Sequence, residues 1–194
     1  MGSRLRWVVR HRAWTRYHLV RYLRYAVFRL RHPGVVCEGM VFLGRGVRVT
    51  VRRGYGRLVL GSLTHIGDGC RLRVHEGTVR LGPKVVLGSD VTVTGYLDIE
   101  IGSATIVADW VYVTDFDHKT ADPDVPIKDQ GIVKAPVRIG PGCWLGAKSS
   151  VLRGTRLGSG SVLAAHAVAR GDYPSRSLVA GVPGRVVHRL PGTS

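Results

Sequence analysis

Along most of the chain the aliphatic residues recur at a step of six. Ile139, Leu145, Val151, Leu157 and Leu163 fall in one register, and Ile101, Val107 and Val113 in a second. Leu81, Leu87 and Val93 form a third, Ile66 and Leu72 a fourth. Gly follows seven of these residues, and four positions after an aliphatic stands a small or β-branched residue: Cys70, Val85, Val91, Thr105, Val111, Cys143, Ser149, Thr155, Ser161 or Ala167. Glu76 departs from that rule. A step of six fits neither one helix face nor strand alternation. It predicts short strands joined by tight corners, with three hexads closing a triangular coil and stacked coils burying a continuous column. In that arrangement Cys70 and Cys143 fill the small slot and are packing residues.

Two segments leave the pattern. Residues 4–31 contain no Gly, and Val9, Ala13, Tyr17, Val20, Leu23, Val27 and Leu30 step by three or four, which predicts helix ended by Pro33-Gly34. Arg12 and Arg16 interrupt the stripe. The second break runs from Val113 to Val137, through "TDFDHKTADPDVPIKDQGIVKAP". Five of the chain's 13 acids (Asp115, Asp117, Asp122, Asp124, Asp129) are gathered there, beside one imidazole, His118. A scaffold has no need of a base at its only long interruption. An imidazole suits proton removal near neutral pH. Asp115 or Asp117 could fix its tautomer, hydrogen-bond an acceptor, or stand in an ordinary solvated loop with Asx-turns.

The 194 residues carry a net charge of +16, with 29 Lys and Arg against 13 Asp and Glu. Such a surface favours anionic partners without choosing among them. Nine of the Arg lie in residues 4–31, where no acid occurs. That segment reads either as helix packed on the end of the coil stack or as a basic helix lying on an anionic membrane surface; nucleic acid is the less favoured partner. The three Cys form no CxxC pair, and the His residues show no metal-ligand spacing, so no metal is expected. No apolar run is long enough to span a bilayer, and Arg interrupts every apolar stretch up to Arg31. A cytoplasmic location, or the inner membrane surface, is expected.

The repeat, the ending "SLVAGVPGRVVHRL" and the His-bearing break together resemble the hexapeptide-repeat acyltransferases, and within them the galactoside and maltose acetyltransferase branch. The resemblance covers about residues 35–190. It implies an all-β fold, a left-handed parallel β-helix, over 35–190, with a basic helical segment at 1–34, an excursion loop at 114–136 and a tail at 191–194. It implies a homotrimer and a coenzyme A thioester as donor, with His118 as general base. Trp144, in "IGPGCWLG", would help wall the acceptor pocket of a neighbouring subunit, and Asp90 stands near the place of an acceptor-contacting residue. Ala147 and Ala165 match positions whose backbone contacts pantetheine. Arg185 matches a phosphate-contacting position, with Arg170 and His188 as further candidates; Gly171 and Gly184 depart from the family pattern there.

The acyl group is acetyl by default. Succinyl stays open because Lys148, Arg153 and Arg156 are cationic. The acceptor is expected to be a sugar or glycan hydroxyl. An amino sugar acylated on nitrogen, or a non-catalytic β-helix scaffold docking through its basic arm, are the alternatives.

Overall fold

One inward side chain per six residues and one tight corner after it leave the backbone only a triangular path. A computed structural model describes residues 15–191 along that path. Helix α1 (Arg16–Arg31) precedes a parallel β-solenoid with three flat faces. Each coil contributes one strand to each face. Among the described residues the first face has seven strands, the second eight and the third six. The pairing is parallel throughout the stack, as in Asp98–Ile101 against Gly77–Leu81 and then against Val137–Ile139. The last strand, Arg185–Arg189, is the exception, turning back antiparallel along Ser177–Ala180 on the second face.

The periodic aliphatics all point inward. Leu81, Ile101, Ile139 and Leu157 lie above one another in register on the first face, each at most 2% exposed. Leu87, Val107, Leu145 and Leu163 do the same on the second, and Val93, Val113 and Val151 on the third. The small slots are buried too. Thr105 Oγ1 donates to Gly140 O (3.0 Å), and Ser161 Oγ to Pro174 O (3.1 Å). The Cys70 and Cys143 sulfurs reach Gly88 O and Gly158 O at 3.0 and 3.2 Å. Burial pushes the Cys70 thiol up to about 11 and raises that of Cys143. Both are poor thiolates and act as packing residues.

Coils touch most closely at the corners. A Cβ on Gly67 would stand 2.2 Å from Gly88 O, inside any allowed contact. Glycine is required there by the neighbouring backbone rather than by its own torsions. At the corner between the second and third faces, Asp90, Trp110, Lys148 and His166 all adopt left-handed φ, between 56° and 63°. Their amides hydrogen-bond the coil below, as in Lys148 N–H to Asp109 O and His166 N–H to Ala147 O.

Helix α1 lies over the first coil, and its seating differs from the expected one. Tyr22, Tyr25 and Phe28 face the solenoid. Tyr22 is 6.3 Å from Phe42, Tyr25 donates to Gly39 O (2.8 Å), and Phe28 joins the core. The predicted apolar stripe, where described, points the other way: Val20, Leu23, Val27 and Leu30 are exposed. Aromatic rings span the gap to the solenoid better than the shorter aliphatics do. Val9 and Ala13 of that stripe lie outside the described residues. The described helix is neither long nor apolar enough to cross a membrane.

Gly67→Ala is expected to lower the unfolding free energy by about 2 kcal/mol or more, because the backbone of the next coil must shift. Gly34→Ala, where an added Cβ meets nothing within 4 Å, is expected to leave it unchanged. Thermal melts of the two variants followed by circular dichroism make the comparison.

Candidate functional site

The break in the repeat is a β-hairpin that leaves the corner between the third and first faces. Strand Phe116–His118 pairs antiparallel with Ile132–Lys134, matching His118 with Ile132 and Phe116 with Lys134. A short 3-10 turn, Ile127–Asp129, lies in the connection. The sequence pattern predicted a loop here. Alternation of Phe116, Asp117 and His118 across a two-stranded ribbon makes it a stiffer element, with side chains on opposite faces.

Asp115 anchors the hairpin. It is fully buried, and its carboxylate accepts hydrogen bonds from the amides of Tyr96 (2.8 Å), Leu97 (2.8 Å) and Asp98 (2.7 Å). Those three N–H groups belong to the corner of the preceding coil, so one side chain joins the hairpin base to the solenoid. Asp117 faces the other way. Its Oδ2 accepts from Arg153 Nε at 2.6 Å, with Arg170 Nη2 at 3.8 Å. On the hairpin's second strand, Lys134 is ion-paired with Glu76, and this hydrogen bond holds the Glu76 carboxyl below its ordinary range. Three acid contacts thus tie the hairpin to three different coils.

His118 stands free at the end of this support. It is exposed, and among the described residues its ring nitrogens carry no hydrogen bond. Behind it runs an aromatic row: His75 stacks on Tyr96 at 4.5 Å, Tyr96 packs on Phe116 at 4.5 Å, and Phe116 meets the His118 ring edge-on at 6.2 Å. The sequence reading missed His75, Tyr96 and Lys134, and it named Arg153 only as a cation, not as the partner of Asp117. Their signal was there only as columns, since His75 and Tyr96 occupy equivalent corner positions on successive coils.

Most of the other expected residues lie on the second face and at the corner that follows it. Trp144 points outward from the second face, 53% exposed and paired in register with Ile106 and Val162. Ala147 and Ala165 follow at the corner between the second and third faces, and Asp90 occupies that same corner two coils before Lys148. Arg185 and His188 are exposed on the final antiparallel strand. Arg170 belongs with Asp117 at the hairpin corner. Within one chain the structure therefore groups His118, Asp115, Asp117 and Arg170 on one edge, and Asp90, Trp144, Ala147 and Ala165 on another. It shows no contact between the two groups. No group of three or more metal-ligating side chains occurs among the described residues.

Residues 136–167 match a family model described as the hexapeptide repeat of succinyl-transferase. The Mycobacterium tuberculosis protein Rv3034c, named as a probable acetyltransferase, is 51% identical over 183 residues. That alignment takes in 94% of this chain and 61% of the relative, so the chain spans about three fifths of that protein's length. The chain thus carries the hexapeptide repeat over residues 136–167 and resembles a probable acetyltransferase along nearly its whole length. A more distant relative is the Escherichia coli protein WbbJ, named for O-acetyl transfer in lipopolysaccharide biosynthesis. It is 29% identical over 145 residues, covering 71% of this chain and 74% of WbbJ. The hexapeptide-repeat solenoid also superposes on AntD, an N-acyltransferase from Bacillus cereus crystallised with dTDP and 3-hydroxybutyryl-CoA. The TM-score is 0.73 at 18% identity, over 86% of this chain and 89% of AntD, a likeness of fold.

Asp115→Ala is expected to cost about 3 kcal/mol or more, since three amides lose a charged acceptor. Asp117→Ala, at a partly exposed ion pair, is expected to cost under about 1 kcal/mol. Thermal melting of both variants checks the division between anchor and tether.

Proposed function

We propose that the protein transfers an acyl group from a coenzyme A thioester to a hydroxyl of a sugar or glycan, with His118 as general base. The observation that carries this reading is the isolated imidazole. It is the exposed end of a braced hairpin at the one long break in the repeat, and its ring nitrogens are not committed elsewhere. In the reaction one ring nitrogen takes the acceptor's hydroxyl proton as the oxygen attacks the thioester carbon. The C–O bond forms, the C–S bond breaks, and the imidazolium returns its proton to the departing thiolate. No protein nucleophile is needed, in keeping with two buried, high-pKa thiols.

Asp115 and Asp117 enter as positioning residues. All the hydrogen bonding of the Asp115 carboxylate is directed at backbone amides, so a triad-like contact to His118 is not its part. Asp117 is held by Arg153 and sets the hairpin's height above the solenoid. Arg170, taken up near Asp117, is thereby a weaker candidate for coenzyme phosphate than Arg185 and His188.

The donor and acceptor walls are supplied by a second subunit in this reading. His118 occupies a different prism edge from Trp144, Ala147 and Ala165, so one chain alone leaves the site open. The second face supports such packing. Its outward column includes Val86, Ile106 and Trp144, at 38%, 51% and 53% exposure. The first face carries a charged ladder instead, with Arg138 paired to Asp98 and Glu100 and Arg80 to Glu38. Apolar area on one face of three, in a closed ring, favours the trimer. Acetyl is favoured over succinyl because Arg153 and Arg156 already face Asp117 and Asp172. That leaves no unpaired arginine of the two for a second carboxylate.

His118→Ala is expected to reduce transfer roughly 100- to 10,000-fold while donor binding persists; retained turnover overturns the base assignment. A panel of saccharides with acetyl- and succinyl-coenzyme A, read by mass spectrometry, tests acceptor and acyl group together. Esters on a glycan are expected, and products on amines alone overturn the hydroxyl reading. Trp144→Ala is expected to raise KM for the acceptor more than for the donor. Light scattering is expected to give a trimer that Ile106→Glu disperses.

A further inference from the structure

The outer side of α1 is a second apolar face that nothing in the transfer reaction uses. At 3.6 residues per turn Leu19, Leu23, Val27 and Leu30 share one side of the helix. Leu19 is 56% exposed, Leu23 66% and Leu30 83%. The opposite side is already occupied by the solenoid through Tyr22, Tyr25 and Phe28. We propose that this outer face docks α1 flat on the surface of an anionic lipid bilayer.

Charge selects the lipid. Along the helix Arg24 and Arg31 border the leucine stripe on one edge, Arg29 turns to Cys37 and Tyr25 on the solenoid side, and α1 contains no acid. Arginine at such edges can keep its guanidinium among headgroup phosphates while the stem lies along the apolar layer. The same end of the solenoid adds Arg48, Arg71 and Arg73 on the third face, none of them ion-paired among the described residues. A second copy of the chain fits this surface poorly, because a twofold pairing of two such helices would bring arginine rows together. Nucleic acid fits poorly as well, since the centre of the face is leucine. With 16 residues and several arginines, α1 lies on a membrane rather than crossing it.

The test is co-sedimentation of the full chain with vesicles of phosphatidylcholine alone, or of phosphatidylcholine and phosphatidylglycerol in equal parts. Binding is expected only to the anionic vesicles and is expected to weaken as salt rises. The double variant Leu23→Glu, Leu30→Glu is expected to lose about tenfold or more in partitioning, with an unchanged melting temperature because both side chains are exposed. Leu23→Met, Leu30→Met is expected to keep it. Failure to sediment at low salt, or equal sedimentation of the wild type and the Glu variant, overturns the proposal. So does a lipid-free assembly that only the Glu variant dissolves, which would give the face to a second copy. These readouts do not involve acyl transfer, so they stand or fall separately from the catalytic reading.

Discussion

Everything in this molecule follows from how little room the inside of a coil provides. Adjacent parallel strands lie about 4.8 Å apart, so each inward side chain rests directly on its counterpart one coil away. Leu81, Ile101, Ile139 and Leu157 form such a stack, and the small slots of Thr105, Cys143 and Ser161 fill what the aliphatics leave. An interior packed in this manner has no space for substrate or for a charged group without a partner. The one carboxylate that goes fully under the surface among the described residues, Asp115, does so by capturing three amides at once. Chemistry is therefore displaced to the corners, to the outward side chains and to whatever leaves the stack.

Because the interior imposes the same demand every six residues, it was the most legible part of the sequence. Every periodic aliphatic named from Ile66 to Leu163 is buried, and so are the small residues at the fourth position. Glu76, the departure from that rule, is at a corner and pairs with Lys134, a contact across 58 residues that no local pattern announces. The same holds for Asp115, whose partners lie 17 to 19 residues earlier, and for Asp117 with Arg153. His118 was legible because it marks an interruption. The hairpin that carries it was not, since Asp and Pro in the connecting stretch speak for turns and hide the short paired strands on either side. In α1 the period was legible and the facing was not: amphipathic spacing reports an apolar side, and here the rings beside it make the tertiary contact.

The division of candidate residues between two prism edges has a physical basis as well. A solenoid corner can present a tight left-handed turn, as at Asp90, Lys148 and His166, and repeat it coil after coil in a regular row. A groove of that sort is suited to a long, thin ligand. The hairpin corner instead projects a single side chain clear of the surface on a braced support. Repetition builds the first kind of edge and interruption the second, and one strictly repeating chain cannot place both on the same corner of the same coil.

Strand Arg185–Arg189 bears on a different hazard. A stack of parallel strands ends in a row of unpaired amides and carbonyls, and such a row is a template on which another chain can add. On the second face that row is covered by the chain itself, folded back antiparallel, and the new margin carries Arg185, His188 and Arg189, all exposed. A further strand approaching it meets like charge and a reversed polarity. On the second face this antiparallel return thus closes the row to further parallel addition.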